Sequence, residues 1–194
     1  DTKDAIIEAG LIDKSRIIVT GCSRVDLSHN QRLQRKNPIK SKLVYYMVQK
    51  NAGIVYSQLI NNSTEDFIEL AKKVTQSLIK IAHEEPNVEF VFKTKIGFSD
   101  MQKDLLSDDI PSNIKMVYDG TGHKLLLDAS VVVGFNTTAV FEAIASGCQV
   151  VSPELFSEVP DSLKDFVFYL GDSAYLPRSS SEFRDIVLDL LEKN

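Results

Sequence analysis

Asn136, Thr137 and Thr138 follow closely on Gly134, where a run of three valines, Val131 to Val133, gives way to a helical pattern. A carboxamide and two hydroxyls at a helix start sit beside unpaired backbone N–H groups that carry partial positive charge. Such a loop suits a phosphate. Glu142 lies further along the same helix among small and apolar neighbours. A carboxylate there needs a partner, and the paired hydroxyls of a ribose would serve. The plain alternative stays open: Asn136 is only a cap and Glu142 only a solvated helix residue.

Three other stretches carry groups of similar use: Gly21 to Asp26 with Arg24, Lys93 to Gly97 with Lys95, and the glycine-rich Asp119, Gly120, Thr121, Gly122. Their cations favour an anionic ligand. His123 adjoins the glycine-rich loop, and a lone histidine there reads first as a surface residue. Three histidines and two scattered cysteines give no metal-ligand spacing, and no metal is expected. Cys22 and Cys148 read as reduced thiols.

The elements that must position these residues are legible as an alternation. Val131 to Val133 predicts a buried strand, broken at Gly134. Asn136 reads as the N-cap of a helix through Ala139, Val140, Ala143 and Ile144, stopped by Gly147. Val150 and Val151 open the next strand, which Pro153 ends. This is a βαβ unit, so its two strands should be parallel. Upstream, the pattern predicts a short helix over 4–9 and strands over 16–20, 43–48, 88–92 and 114–118. A long helix carries Phe67, Leu70, Ala71, Val74, Leu78, Ile81 and Ala82 on one face. The basic stretch from Ser28 to Lys42 reads as a loop or frayed helix. Short helices are expected over 100–107 and 124–127, and strands over 54–57 and 165–170. A last helix opens near Ser179. The result is an α/β domain with a mainly parallel sheet covered on both faces. Ligands in such folds bind outside the carboxyl ends of the strands, and all four polar stretches follow predicted strand ends.

Composition bounds the answer. The 194 residues fit one domain spanning 1–194, and 43% hydrophobic with 25% charged residues is normal for a globular chain. A net charge of −5 argues against nucleic acid as a partner. No apolar run approaches a membrane span and no signal peptide is visible, so a cytoplasmic protein is expected. The chain opens on Asp1 rather than Met, which predicts a piece of something longer.

Taken in order, these loops resemble the C-terminal, donor-binding half of GT-B glycosyltransferases. The resemblance is nearest to the enzymes of bacterial surface-carbohydrate synthesis, of capsule, O-antigen and teichoic-acid type. It is carried by Val19 to Asp26, by Phe92 to Lys95, and by Gly134 to Thr138 continuing through Glu142 and Ala143 to Gly147 and Pro153. It implies a Rossmann-like three-layer sandwich, one half of a GT-B fold. It also implies a nucleotide-sugar substrate (CMP-, CDP- or UDP-linked) with no separate cofactor. By that resemblance the donor site comprises Gly21, Arg24, Lys93, Lys95, Asp119, Gly120, Gly134, Asn136, Thr137, Thr138 and Glu142. Glu142 would hold the ribose, the loop from Tyr118 to Gly122 the base, and the cations the phosphates. A glycan or lipid-linked acceptor would enter through an N-terminal domain that is missing here, and contact with the inner face of the cytoplasmic membrane stays open. No catalytic residue is assigned, because the family often carries it on that other domain. Two rivals remain: a sugar-nucleotide epimerase of the same architecture, and a non-catalytic module that docks on a partner.

Overall fold

Among the described residues five strands line up side by side and all run the same way. They are β1 (Lys42–Tyr46), β2 (Glu89–Lys93), β3 (Ile114–Val117), β4 (Val131–Gly134) and β5 (Gln149–Val151), in the order β3-β2-β1-β4-β5. The computed structural model describes residues 2–34, 42–48, 65–94, 105–106, 109–120, 122–155, 168 and 170–193. Within these the helices are α1 (Thr2–Glu8), α2 (Ser23–Gln34), α3 (Glu65–Glu84), α4 (Ala139–Ala145) and α5 (Ser180–Glu192).

The pleat divides the core into two layers, because successive side chains leave opposite faces of a strand. Leu43, Tyr45, Phe90, Phe92, Val131 and Val133 pack on one face with Leu70, Val74 and Leu78 of α3 and Phe183 and Val187 of α5. Val44, Val91, Val132 and Val150 pack on the other with Val140 and Ala143 of α4 and with Leu126. Both faces are covered, so the strands read as continuous apolar runs. Residues expected to form the face of the long helix are all buried in the first layer.

Helix ends follow local chemistry. Ser179 caps α5, its hydroxyl accepting from the Glu182 amide. Gly147 ends α4 with φ +77°, a value that favours glycine. An added Cβ there would also lie 2.9 Å from the Arg32 Nε of α2, so the glycine lets the two helices approach.

Several expectations fail. No strand forms over Arg16 to Thr20: Ile18 is 82% exposed and Val19 69%. Asp13 caps a 3-10 turn at Lys14–Arg16, and α2 opens at Ser23, so the short apolar run between them is a connection. Of the two forms expected for the polar stretch from Ser28, the helical one holds as far as Gln34, and 35–41 lie outside the described residues. Gly122–Leu127 is a 3-10 rather than an α-helix. The expected elements over 54–57, most of 100–107 and most of 165–170 lie outside the described residues, as does Lys95.

Candidate functional site

Register sets the rim of the sheet. Tyr46 is paired with Lys93 on one side and Gly134 on the other, and Lys93 in turn with Val117. These four residues mark the carboxyl ends of four neighbouring strands. The chain leaves β1 through α3 to build β2 and β3 on one side, then returns to lay β4 on the other. The strand order therefore reverses between β1 and β4, and a crevice opens where connections diverge in opposite directions.

A cleft of about 750 Å³ occupies that place. Its floor is Met47 and Val48 beyond β1, Thr94 beyond β2, and Phe135 beyond β4. Arg24 and Leu27 of α2 form one wall, and Thr138, Ala139 and Glu142 at the start of α4 another. Gly120, Gly122 and His123 close the side above β3.

The structure brings most of the expected residues together. Arg24, Lys93, Gly120, Asn136, Thr137, Thr138 and Glu142 all line the cleft. Gly134 lies just beneath, buried at the end of β4, where a Cβ would meet Thr137 and Val140 at 3.1 and 3.2 Å. Asp119 is exposed and is not among the residues that line the cleft, though its charge opposes the lowering of Lys93. Gly21 is not brought in: it is exposed, with φ +78°, and a Cβ placed on it would meet nothing within 4 Å. Arg24 reaches the cleft from a helix rather than from a loop after a strand.

Asn136 does not cap the helix. Its φ of +46° lies in the left-handed region, which asparagine tolerates better than most residues. Its Oδ1 accepts from the Phe168 amide at 3.2 Å. Thr138 occupies the cap position in helical conformation, with no side-chain cap bond. The first amides of α4 are already used: Ala139 donates to Thr137 Oγ1, Val140 to the Thr137 carbonyl, and Phe141 and Glu142 to the Thr138 carbonyl. Thr137 thus spends its hydroxyl and carbonyl on the turn, and Thr138 its carbonyl.

Charge is paired across the site. Arg24 Nη2 lies 3.2 Å from Glu142 Oε1, and His123 Nδ1 lies 3.9 Å from Glu142 Oε2. Glu142 is 7% exposed, so it is not a solvated helix residue. Lys93 donates to the Thr94 carbonyl at 2.7 Å. Partial burial holds its ammonium below the ordinary lysine range, and Asp119 opposes that shift. Tyr46 donates to the Gly122 carbonyl at 2.8 Å. Burial, with Glu142 and Cys148 nearby, pushes its phenol well above the usual tyrosine range, so it stays a donor.

Sequence reasoning missed His123, Tyr46, Thr94 and Ser28. His123 reads as a surface residue in sequence, yet its side chain is only 16% exposed and sits against Ser28 and Glu142. Its place directly after Gly120 and Gly122 was the available signal. Among the described residues no group of three or more His, Cys, Asp or Glu side chains could hold a metal ion, and no helix is long and apolar enough to cross a membrane.

No family model matches the chain, and no curated protein matches it in sequence. Solved structures do. UDP-GlcNAc 2-epimerase from Neisseria meningitidis, bound to UDP-GlcNAc, superimposes with a TM-score of 0.55 at 15% identity, over 99% of this chain and 50% of the epimerase. The GtfA/B complex superimposes with a TM-score of 0.50 at 12% identity, over 80% of this chain and 30% of the other. The chain thus spans at most half the length of these two matches. At such identities the likeness concerns the fold: this chain has the Rossmann-like, parallel-sheet architecture of one half of a GT-B protein.

Proposed function

We propose that this chain is the donor nucleotide-sugar-binding domain of a glycosyltransferase that builds a bacterial surface polysaccharide. The observation that carries the reading is the gathering of Arg24, Lys93, Asn136 and Glu142, from distant parts of the sequence, around one cleft at the reversal of strand order. Glu142 would receive the ribose hydroxyls. Arg24 and Lys93 would face the phosphates, together with the loop from Asn136 to Thr138. Gly120 would border the base. A leaving nucleotide gains negative charge as its bond to the sugar breaks, and fixed cations beside it lower that barrier.

The acceptor, a glycan or a lipid-linked glycan, would come from a second domain, and the whole enzyme would act in the cytoplasm, at the inner face of the membrane where the acceptor is lipid-linked. The epimerase that shares the fold was solved with UDP-GlcNAc, which makes UDP the first nucleotide to try. Calorimetric titration of the folded chain with UDP, CDP and CMP tests the reading. Saturable binding of at least one is expected, and no binding of any, also after addition of a full-length partner half, overturns it. A sugar-nucleotide epimerase would instead convert its substrate with no acceptor added, so a product assay separates the two.

A further inference from the structure

His123 is a partly buried group that the ion pair and the phosphate loop leave unused. Its Nδ1 lies 3.3 Å from Ser28 Oγ and 3.9 Å from Glu142 Oε2. Its Nε2 is shielded from solvent and has no hydrogen-bond partner among the described residues.

The surrounding network assigns the tautomer. Ser28 has one hydroxyl proton and gives it to the Arg24 carbonyl at 3.1 Å, the usual back-bond of a serine inside a helix. Ser28 Oγ is then left to accept from the ring. A carboxylate on the same side of Nδ1 also favours a proton there. In the uncharged form of the ring the hydrogen therefore sits on Nδ1, and Nε2 is a bare lone pair. A buried acceptor with nothing to accept from is unfavourable, so such an atom in a cleft wall points to a group supplied from outside. Thr94 repeats the pattern: it is 3% exposed, lines the same cleft, and its Oγ1 also lacks a partner among the described residues.

We infer that His123 reads the ligand, its Nε2 accepting a hydrogen bond from one ribose hydroxyl while Glu142 takes the neighbouring one. The inference rests on the nucleotide reading above. The ring lines the cleft and keeps part of its surface open, and the contact proposed here includes a turn of the ring that brings the shielded Nε2 to the hydroxyl. Tyr46 makes the placement firm, since its bond to the Gly122 carbonyl pins the backbone directly before the histidine.

The test compares UDP, 2′-deoxy-UDP and 3′-deoxy-UDP by calorimetry on the intact chain and on His123→Phe and His123→Gln. His123→Phe should bind UDP about 5- to 10-fold more weakly, as loss of one hydrogen bond requires, and should stop distinguishing UDP from one of the deoxy forms. His123→Gln, which can place an oxygen near the position of Nε2, should recover part of both. UDP carries no hexose, so an effect confined to a UDP-sugar would assign the contact to the sugar and overturn the ribose assignment. A second measurement needs no variant: the Nε2 nitrogen resonance of His123 should move upfield when UDP saturates the chain. Unchanged discrimination in His123→Phe, or an unmoved resonance, overturns the inference while leaving the nucleotide reading intact. Failure of the unaltered chain to bind any nucleotide overturns both.

Discussion

Arg24 and Glu142 join two helices at the edge of the cleft, with Nη2 of one 3.2 Å from Oε1 of the other, and the two partners are unequal. The arginine side chain is 73% exposed and the glutamate side chain 9%. Removing the glutamate leaves a solvated cation, which is nearly free of cost, whereas removing the arginine strands a buried carboxylate. Arg24→Ala should therefore lower stability by about 1–3 kcal/mol, read as the urea midpoint at pH 7. Glu142→Ala should leave the fold standing and weaken UDP binding about 10- to 100-fold, the loss of hydrogen bonds to a charged group. For a module that only docks on a partner, Glu142→Ala should leave the docking untouched.

Gly122 and Tyr46 form a second coupled pair. A Cβ on Gly122 would lie 2.7 Å from Cε1 of the tyrosine ring, which must then move. Gly122→Ala should destabilise by about 1–3 kcal/mol through overpacking. Tyr46→Phe should not rescue it, because a ring carbon makes the closest contact. Tyr46→Leu should, and the double variant should be markedly less destabilised than the sum of the singles. Thermal unfolding of the four proteins reads this directly.

Lys93 should matter to phosphate rather than to nucleoside. Lys93→Met should weaken UDP about 5- to 20-fold, barely alter uridine, and flatten the salt dependence of UDP binding. Burial lowers the lysine below its ordinary value, so as pH rises its charge is lost earlier than that of an unperturbed lysine. UDP affinity should thus begin to fall at a lower pH than an ordinary lysine would give, and this decline should vanish in Lys93→Met.

Acid stability should carry the signature of Glu89. A hydrogen bond from Lys115 at 2.9 Å holds its carboxyl below the ordinary 4.5, with burial opposing and Lys42 and Lys115 adding charge. A depressed folded value means stability present above the ordinary carboxylate value and lost as pH falls through the depressed one. Both side chains are partly exposed, so the contribution is under about 1 kcal/mol. Lys115→Met should be slightly less stable at neutral pH and should converge with the unaltered chain in acid, as followed by urea midpoints across that range.

The βαβ unit from Val131 to Val151 is legible in the sequence because three independent signals agree there: a β-branched run, a helical period and a glycine stop. The same holds for α3, whose apolar face repeats over five turns. The run Ile17 to Val19 carries only one signal, and the five strands pair without it. Whether a short apolar run pairs depends on the rest of the chain, which no local pattern contains. The site divides in the same way. Residues directly after strands β2 and β4 can be placed from the sequence, because parallel sheets put those ends together. Arg24 belongs to the site for a different reason than its place in the sequence suggests, Ser28 and Tyr46 do not stand out in it, and His123 shows only as a neighbour of the glycine-rich loop. Their roles come from α2 packing along α4 and from a side chain crossing to Gly122. Asn136 shows the limit most clearly: its residue type fits a cap, yet Phe168, far along the chain, takes its oxygen.

The middle place of β1 has a consequence for how the molecule is made. One flank of Leu43 receives Phe90 and the other must wait for Val131, so a growing polypeptide leaving the ribosome carries a half-zipped apolar ribbon until the valine run has emerged. A bare strand flank invites neighbouring nascent chains. Slowing translation between the codons for Lys93 and Val131 should therefore lower the soluble yield, and a holdase chaperone should restore it.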